Sequence, residues 1–120
     1  SSIALYHYLK PKMEFRNTEC AYLVIMNQNF KEIKTIKISE GGVTETAVDV
    51  REIMRHVVIN KGTIIAIAHN HPCGSPSPSK NDDLLTTQIS KACEIMRIFF
   101  MDHVIIGDNA YYSYHDKGRV

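Results

Sequence analysis

The stretch Thr63 to Ala68 constrains this chain more than any other. It is a β-rich apolar run, and it leads directly into His69-Asn70-His71. Such a short run, bounded by turn signals, predicts a buried strand at the centre of a sheet. The loop that follows, Pro72 to Pro78, has three prolines and one glycine, so it has little conformational freedom. From Ser79 to about Ile98 the apolar positions Leu85, Ile89, Ala92 and Met96 follow helical spacing, and their content reads most simply as core. A central strand, a stiff loop and a helix are therefore fixed in that order.

The remaining segments fit around this unit. Residues 2 to 10 read as a helix, with Ser1 or Ser2 as N-cap and Pro11 just past its end. Ala21 to Met26 is a short apolar run, Asn27-Gln28-Asn29 a turn, and Phe30 to Ser39 an imperfectly alternating strand, together a hairpin. Gly41-Gly42 breaks that strand. Asp49 followed by Glu52 marks a helix start, continued from Val50 to Asn60 and ended by Lys61-Gly62. Val104 to Ile106, Gly107-Asp108-Asn109 and Ala110 to Tyr114 read as a closing hairpin. The expected fold is α/β: a mixed sheet with helices packed on its faces, in one domain over residues 1–120.

Chemistry concentrates where the central strand meets the next helix. His69 and His71 stand at i and i+2, so in extended backbone their side chains share a face. Asp82 returns from the first turn of the following helix. Two imidazoles and one carboxylate, with a fourth position left for water, are the donor set of a catalytic zinc site. Each residue also has a plainer reading. Ser79 and Asp82 fit a helix N-cap and its third helical position, close to a capping box. A histidine at the end of an apolar strand is often only a satisfied polar group. The two readings of Ser79 and Asp82 are compatible, since a capped helix start is a good way to fix a carboxylate ligand.

Composition excludes several classes. Net charge is +1, with lysines and arginines scattered among acids, so no strong nucleic-acid footprint is expected. Cys20, Cys73 and Cys93 are odd in number and form no metal-type pair, which fits a reducing interior. The longest uninterrupted apolar run, Ile64 to Ala68, is far too short to span a membrane. The opening SSIALYHYLK lacks the layout of a secretion signal, so a cytoplasmic location is expected. The chain starts without Met, as a fragment of a longer protein would. The sequence fixes neither oligomeric state nor substrate.

The segments His69-Asn70-His71-Pro72, Gly74, Pro76, Pro78-Ser79 and Asp82, with Asp102-His103-Val104-Ile105-Ile106-Gly107, carry a family resemblance. They resemble the C-terminal domain of bacterial RadC proteins, within the JAMM (MPN+) superfamily of zinc metallopeptidases. Arg51-Glu52 at a helix start also fits, and the resemblance covers nearly the whole chain. Cys73 departs from it, standing where the family usually has Ser, and residues 1–120 do not include the helix-hairpin-helix region that often precedes the domain. The resemblance implies a cytidine-deaminase-like fold, with Zn2+ held by His69, His71 and Asp82. It also implies a glutamate at the start of the first strand that takes a proton from the zinc-bound water. By position this is Glu19, with Glu14, Glu45 and Glu52 as competitors, and Glu52 is otherwise explained as a capping residue. Ser79 is then expected to hydrogen-bond the oxyanion formed during hydrolysis of a peptide or isopeptide bond in a peptide or protein substrate.

Three other functions compete. A zinc nucleoside deaminase would need H-x-E and P-C-x-x-C, and here Pro72-Cys73 lacks the second cysteine. The letters His69-Asn70-His71 suggest an HNH nuclease, but that motif distributes its residues over a hairpin and a helix. A non-enzymatic metal-bearing module tied to DNA processing rests on the RadC label alone. Cys73 could touch the metal, although a plain loop thiol explains it better.

Overall fold

A computed structural model describes residues 1–41 and 48–120. Its elements run α1 (Ser2–Met13), β1 (Cys20–Met26), β2 (Glu32–Glu40), α2 (Val50–Ile59), β3 (Ile64–Asn70), α3 (Lys80–Met96), β4 (Phe99–Gly107) and β5 (Ala110–Ser113). The strands form one mixed sheet in the order β2-β1-β3-β4-β5. The β3–β4 pair is parallel and the other neighbours are antiparallel. This is the α/β sheet flanked by helices that the sequence predicts, with β3 in the middle and every residue of it buried.

Period-two alternation sorts the core into two faces. Val24, Met26, Ile64, Ala66, Ala68, Val104 and Ile106 meet α1 through Leu5, Tyr6, Leu9 and Met13. Leu23, Ile25, Ile65 and Ile67 meet α2 through Ile53 and Val57, and α3 through Ile89 and Cys93. His69 has the same parity as Ile65 and Ile67, so it belongs to the α2/α3 side.

Two helix expectations are corrected in detail. Pro11 lies inside α1, not beyond it. In the last turn its missing N–H frees only the carbonyl of His7, an exposed residue that water can satisfy, and Glu14 N–H still closes on Lys10 O at 2.9 Å. Met96 is exposed rather than core, and the buried stripe of α3 is Thr86, Ile89 and Cys93, with Leu85 and Ala92 partly covered. The small Cys93 suits the close approach of α3 to the sheet, which leaves Met96 beyond the contact. Gly42 and Glu45 lie outside the described residues.

Among the described residues, no helix is long and apolar enough to cross a membrane.

Candidate metal centre

The backbone around β3 aims the site. His69 is the penultimate residue of the strand, and His71 follows just beyond, its N–H held by Ile106 O of β4 at 2.9 Å. The Pro-rich loop then docks on the β4–β5 turn. Gly74 donates to His71 O at 2.9 Å and accepts from Asp108 N–H at 2.8 Å. Gly74 adopts φ +92, and a Cβ on Gly107 would run into the Gly74 carbonyl, so both glycines are needed for this approach. The loop ends at Ser79, which caps α3: its Oγ accepts from Asp82 N–H at 3.0 Å, and its own N–H donates to Asp82 Oδ2 at 2.8 Å. The capping reading and the ligand reading of this pair therefore coincide in one geometry.

Three side chains converge. His69 Nε2 lies 3.0 Å from Asp82 Oδ1, His71 Nε2 lies 3.0 Å from Asp82 Oδ2, and the two Nε2 atoms are 3.1 Å apart. Glu19, buried just ahead of β1, joins from the neighbouring strand. One ligand atom from each of Glu19, His69 and His71 falls within 4.8 Å of the others, so these residues could hold a metal ion. Register explains why it is Glu19. Ala21 pairs with His69 and Tyr22 with Ala68, and the same register carried outward sets residue 19 opposite residue 71.

Proton counting defines what the cluster lacks. His71 Nδ1 faces Ser75 O at 3.0 Å, and a carbonyl only accepts, so Nδ1 carries the hydrogen. Thr86 Oγ donates to Asp82 O at 2.8 Å, and it then accepts from His103 Nδ1 at 2.6 Å. Buried His103 is held neutral, chiefly by loss of solvation, so its Nε2 accepts from His69 Nδ1 at 2.8 Å. Both ligand-type imidazoles therefore present bare Nε2 lone pairs toward a carboxylate that also only accepts. Three acceptor side chains with contacts of 3.0–3.1 Å call for a shared cation, either a proton or a metal.

The electrostatics agree. Burial alone would push Asp82 up, yet the imidazoles of His69 and His71, which donate to it whenever a proton occupies the shared site, outweigh burial and hold the carboxyl well below the usual carboxylate range. Burial likewise pulls His71 down, but Asp82, the Ser75 carbonyl and the more distant charge of Glu19 raise it overall.

All the residues singled out from sequence thus meet: His69, His71 and Asp82 in contact, Glu19 beside them, and Ser79 bonded to Asp82. Of the competing glutamates, Glu14 and Glu52 are engaged elsewhere, and Glu45 lies outside the described residues. Glu14 pairs with Lys10 and accepts from Asn109 N–H. Glu52 does not fill the capping role expected of it: the N-cap of α2 is Asp49, and the Glu52 carboxylate binds Arg55 at 2.8 Å. A short ion pair with a guanidinium one turn along outcompetes the reach back to the cap. Cys73 is exposed, its Sγ 3.9 Å from Ser75 O. Sequence reasoning missed His103 and Thr86, which orient His69. The only signal was the quoted Asp102-His103 pair, for which spacing suggests no role.

Ser79 carries a testable structural load. Ser79→Ala removes the cap of α3, and thermal or urea unfolding should record a loss of about 1 kcal/mol. Unchanged stability would mean that the capping bond contributes nothing net.

Comparison with known proteins gives a consistent result. Residues 1–119 match the family model described as "RadC-like JAB domain". A "UPF0758 protein" of Porphyromonas gingivalis is 39% identical over 114 residues, covering 94% of this chain and 50% of the relative. One from Streptococcus gordonii is 32% identical over 117 residues, covering 98% and 52%. One from Coprothermobacter proteolyticus is 32% identical over 106 residues, covering 88% and 45%. The chain spans about half the length of these curated relatives.

Proposed function

We propose, since this chain belongs to the family of RadC-like JAB domains and builds an acceptor cluster that demands a cation, that it is a zinc-dependent hydrolase of peptide or isopeptide bonds. The observation that carries this reading is the convergence of two bare Nε2 atoms and the Asp82 carboxylate with Glu19 at their side. Tetrahedral zinc with bonds of about 2.0–2.2 Å keeps its donors roughly 3.3–3.6 Å apart. The two Nε2 atoms are 3.1 Å apart and each lies 3.0 Å from one of the two Asp82 oxygens, so a small adjustment of these side chains would bring one oxygen and both nitrogens to that spacing. Two imidazoles and one carboxylate also leave a fourth position open, as catalytic zinc requires. His69, His71 and Asp82 are thus the proposed ligands.

Zinc, when bound, supplies Lewis acidity that lowers the pKa of water from about 15.7 to about 7. The protein supplies the rest. Glu19, buried beside His69 and His71, accepts the proton that water gives up and passes it to the departing amine. Ser79 uses its oxygen lone pair on Asp82 N–H, which leaves its hydroxyl hydrogen to donate to an oxyanion. His103 and Thr86 hold His69 in the tautomer that keeps Nε2 bare. The substrate is a peptide or protein. Glu19 is what separates this reading from a metal-bearing module without turnover, because ligands alone need no neighbouring proton carrier.

Elemental analysis of protein purified without chelator tests the premise. About one zinc per chain is expected, with loss of it in a His69→Ala, His71→Ala double variant. Equal zinc in wild type and double variant would remove the metal site, and the hydrolase with it. A screen with peptide and isopeptide libraries then identifies the bond cleaved.

A further inference from the structure

Asn70 stands between the two ligand-type histidines, yet alternation turns its side chain to the opposite face of β3. There it is buried, and both ends of its amide are used. Asn70 Oδ1 accepts from Cys20 N–H at 2.7 Å, and Asn70 Nδ2 donates to Thr18 O at 3.1 Å. These two bonds grip the backbone immediately after and immediately before Glu19. A third contact, Gly41 N–H to Glu19 O at 3.0 Å, holds the Glu19 peptide from the β2 side.

The need for this clamp follows from the path of β3. β3 ends at Asn70, and beyond it His71 N–H bonds Ile106 O of β4. The ladder between β1 and β3 ends at Ala21↔His69, two residues short of Glu19. Residues Thr18 to Cys20 then lack a strand partner on that side, and a buried backbone N–H such as that of Cys20 must find an acceptor elsewhere. The Asn70 side chain provides it, and so extends the pairing by one residue beyond the strand.

We propose that Asn70 is a positioning residue: its primary amide fixes the Glu19 carboxylate beside the metal ligands by clamping the backbone on both sides of Glu19. This rests on the hydrolase reading for the use made of Glu19, but not for the clamp itself. His69 and His71 are held by Thr86, His103 and Ser75 and do not depend on the Asn70 amide. Loss of the amide should therefore release Glu19 and leave the ligands in place. An Asp at position 70 keeps an acceptor for Cys20 N–H but sets a carboxylate oxygen against Thr18 O, so it should fail at one end only.

Two readouts test this on the whole chain in wild type, Asn70→Ala, Asn70→Asp and Glu19→Gln. The first is amide hydrogen exchange of the metal-free protein by NMR. Protection of Cys20 N–H should fall by about tenfold or more in Asn70→Ala, should largely persist in Asn70→Asp, and core amides of β3 should be unchanged. The second is the visible spectrum of added cobalt(II) as a function of pH. Asn70→Ala should bind cobalt as wild type does, and shift the spectral midpoint in the same direction as Glu19→Gln. In a Glu19→Gln background it should add no further shift. A midpoint identical to wild type in Asn70→Ala, with Cys20 still protected, would overturn the clamp. If Asn70→Ala does not fold, Asn70→Asp decides: a wild-type midpoint there counts against the proposal. Failure of wild type to bind cobalt would sink the metal reading instead, and the exchange arm would still decide the clamp.

Discussion

Glu19→Gln should retain metal and fold while losing hydrolysis by about 100- to 10,000-fold, the usual worth of a positioned acid–base group. The substitution keeps the shape of the side chain and removes only its ability to take up a proton. Glu19 is buried, with a carboxylate oxygen within 4.8 Å of ligand atoms of His69 and His71. Backbone contacts at Thr18, Cys20 and Glu19 itself hold its segment in place, and the isosteric Gln leaves them intact. Stability should accordingly change little. Single-turnover rates on a cleaved library substrate, with metal content and unfolding curves measured on the same preparation, separate the outcomes. Undiminished turnover with full metal would move the proton carrier to another residue. Loss of metal together with rate would make Glu19 a ligand, consistent with its distance from His69 and His71.

Some of this site was legible because one strand's own pattern determines it. The composition of Thr63 to Ala68 gave the buried centre, and period two put His69 and His71 on one face without reference to any neighbour. Ser79 and Asp82 were legible twice over, since capping box and carboxylate ligand require the same first turn of helix. Glu19 was reached through family resemblance, because its place depends on how β1 pairs with β3, which no single strand encodes. His103 was out of reach for a sharper reason. The β3–β4 pairing shifts register between Ile65 and Ala66, so that Phe100 pairs with Ile65 but Asp102, not Met101, pairs with Ala66. That bulge moves His103 onto the face of Ile67 and His69; without it, alternation would send His103 toward α1. Asn70 was hidden likewise, since its work is done on backbone 50 residues away in sequence. Met96 was misjudged because helical spacing marks a face and not where along the helix the sheet ends.

Metal loading should move the pH of maximum stability upward, because protons and metal compete for the same lone pairs. In the metal-free protein His71 is raised above its ordinary value of 6.5, through Asp82 and the Ser75 carbonyl acting against burial. A raised pKa contributes stability fully present below the unfolded value and lost as pH rises through the folded one. His103 works in the other direction. Burial depresses it well below 6.5, so on acidification the unfolded chain gains a proton there that the folded chain refuses, and stability falls below about pH 6.5. Asp82, held far down by His69 and His71, contributes stability present above its ordinary value of 3.8 and lost only in stronger acid. From these three groups the metal-free protein is most stable near the ordinary histidine pKa, and it weakens on the alkaline side as His71 gives up the proton bridging the acceptors. Bound metal replaces that proton, so the alkaline loss disappears and the acid loss begins earlier, where protons displace metal from His71. At metal 100 to 1,000 times its dissociation constant the added stability is about 3–4 kcal/mol, fading as pH drops through the raised His71 value. Urea unfolding from pH 5 to 9, with saturating zinc and with chelator, reads both curves. They should converge at the acid end and separate at the alkaline end. Parallel curves would mean that the cation and the proton do not share one site. A His69→Ala, His71→Ala double variant should lose both the zinc effect and the alkaline decline, while keeping the acid decline that His103 imposes.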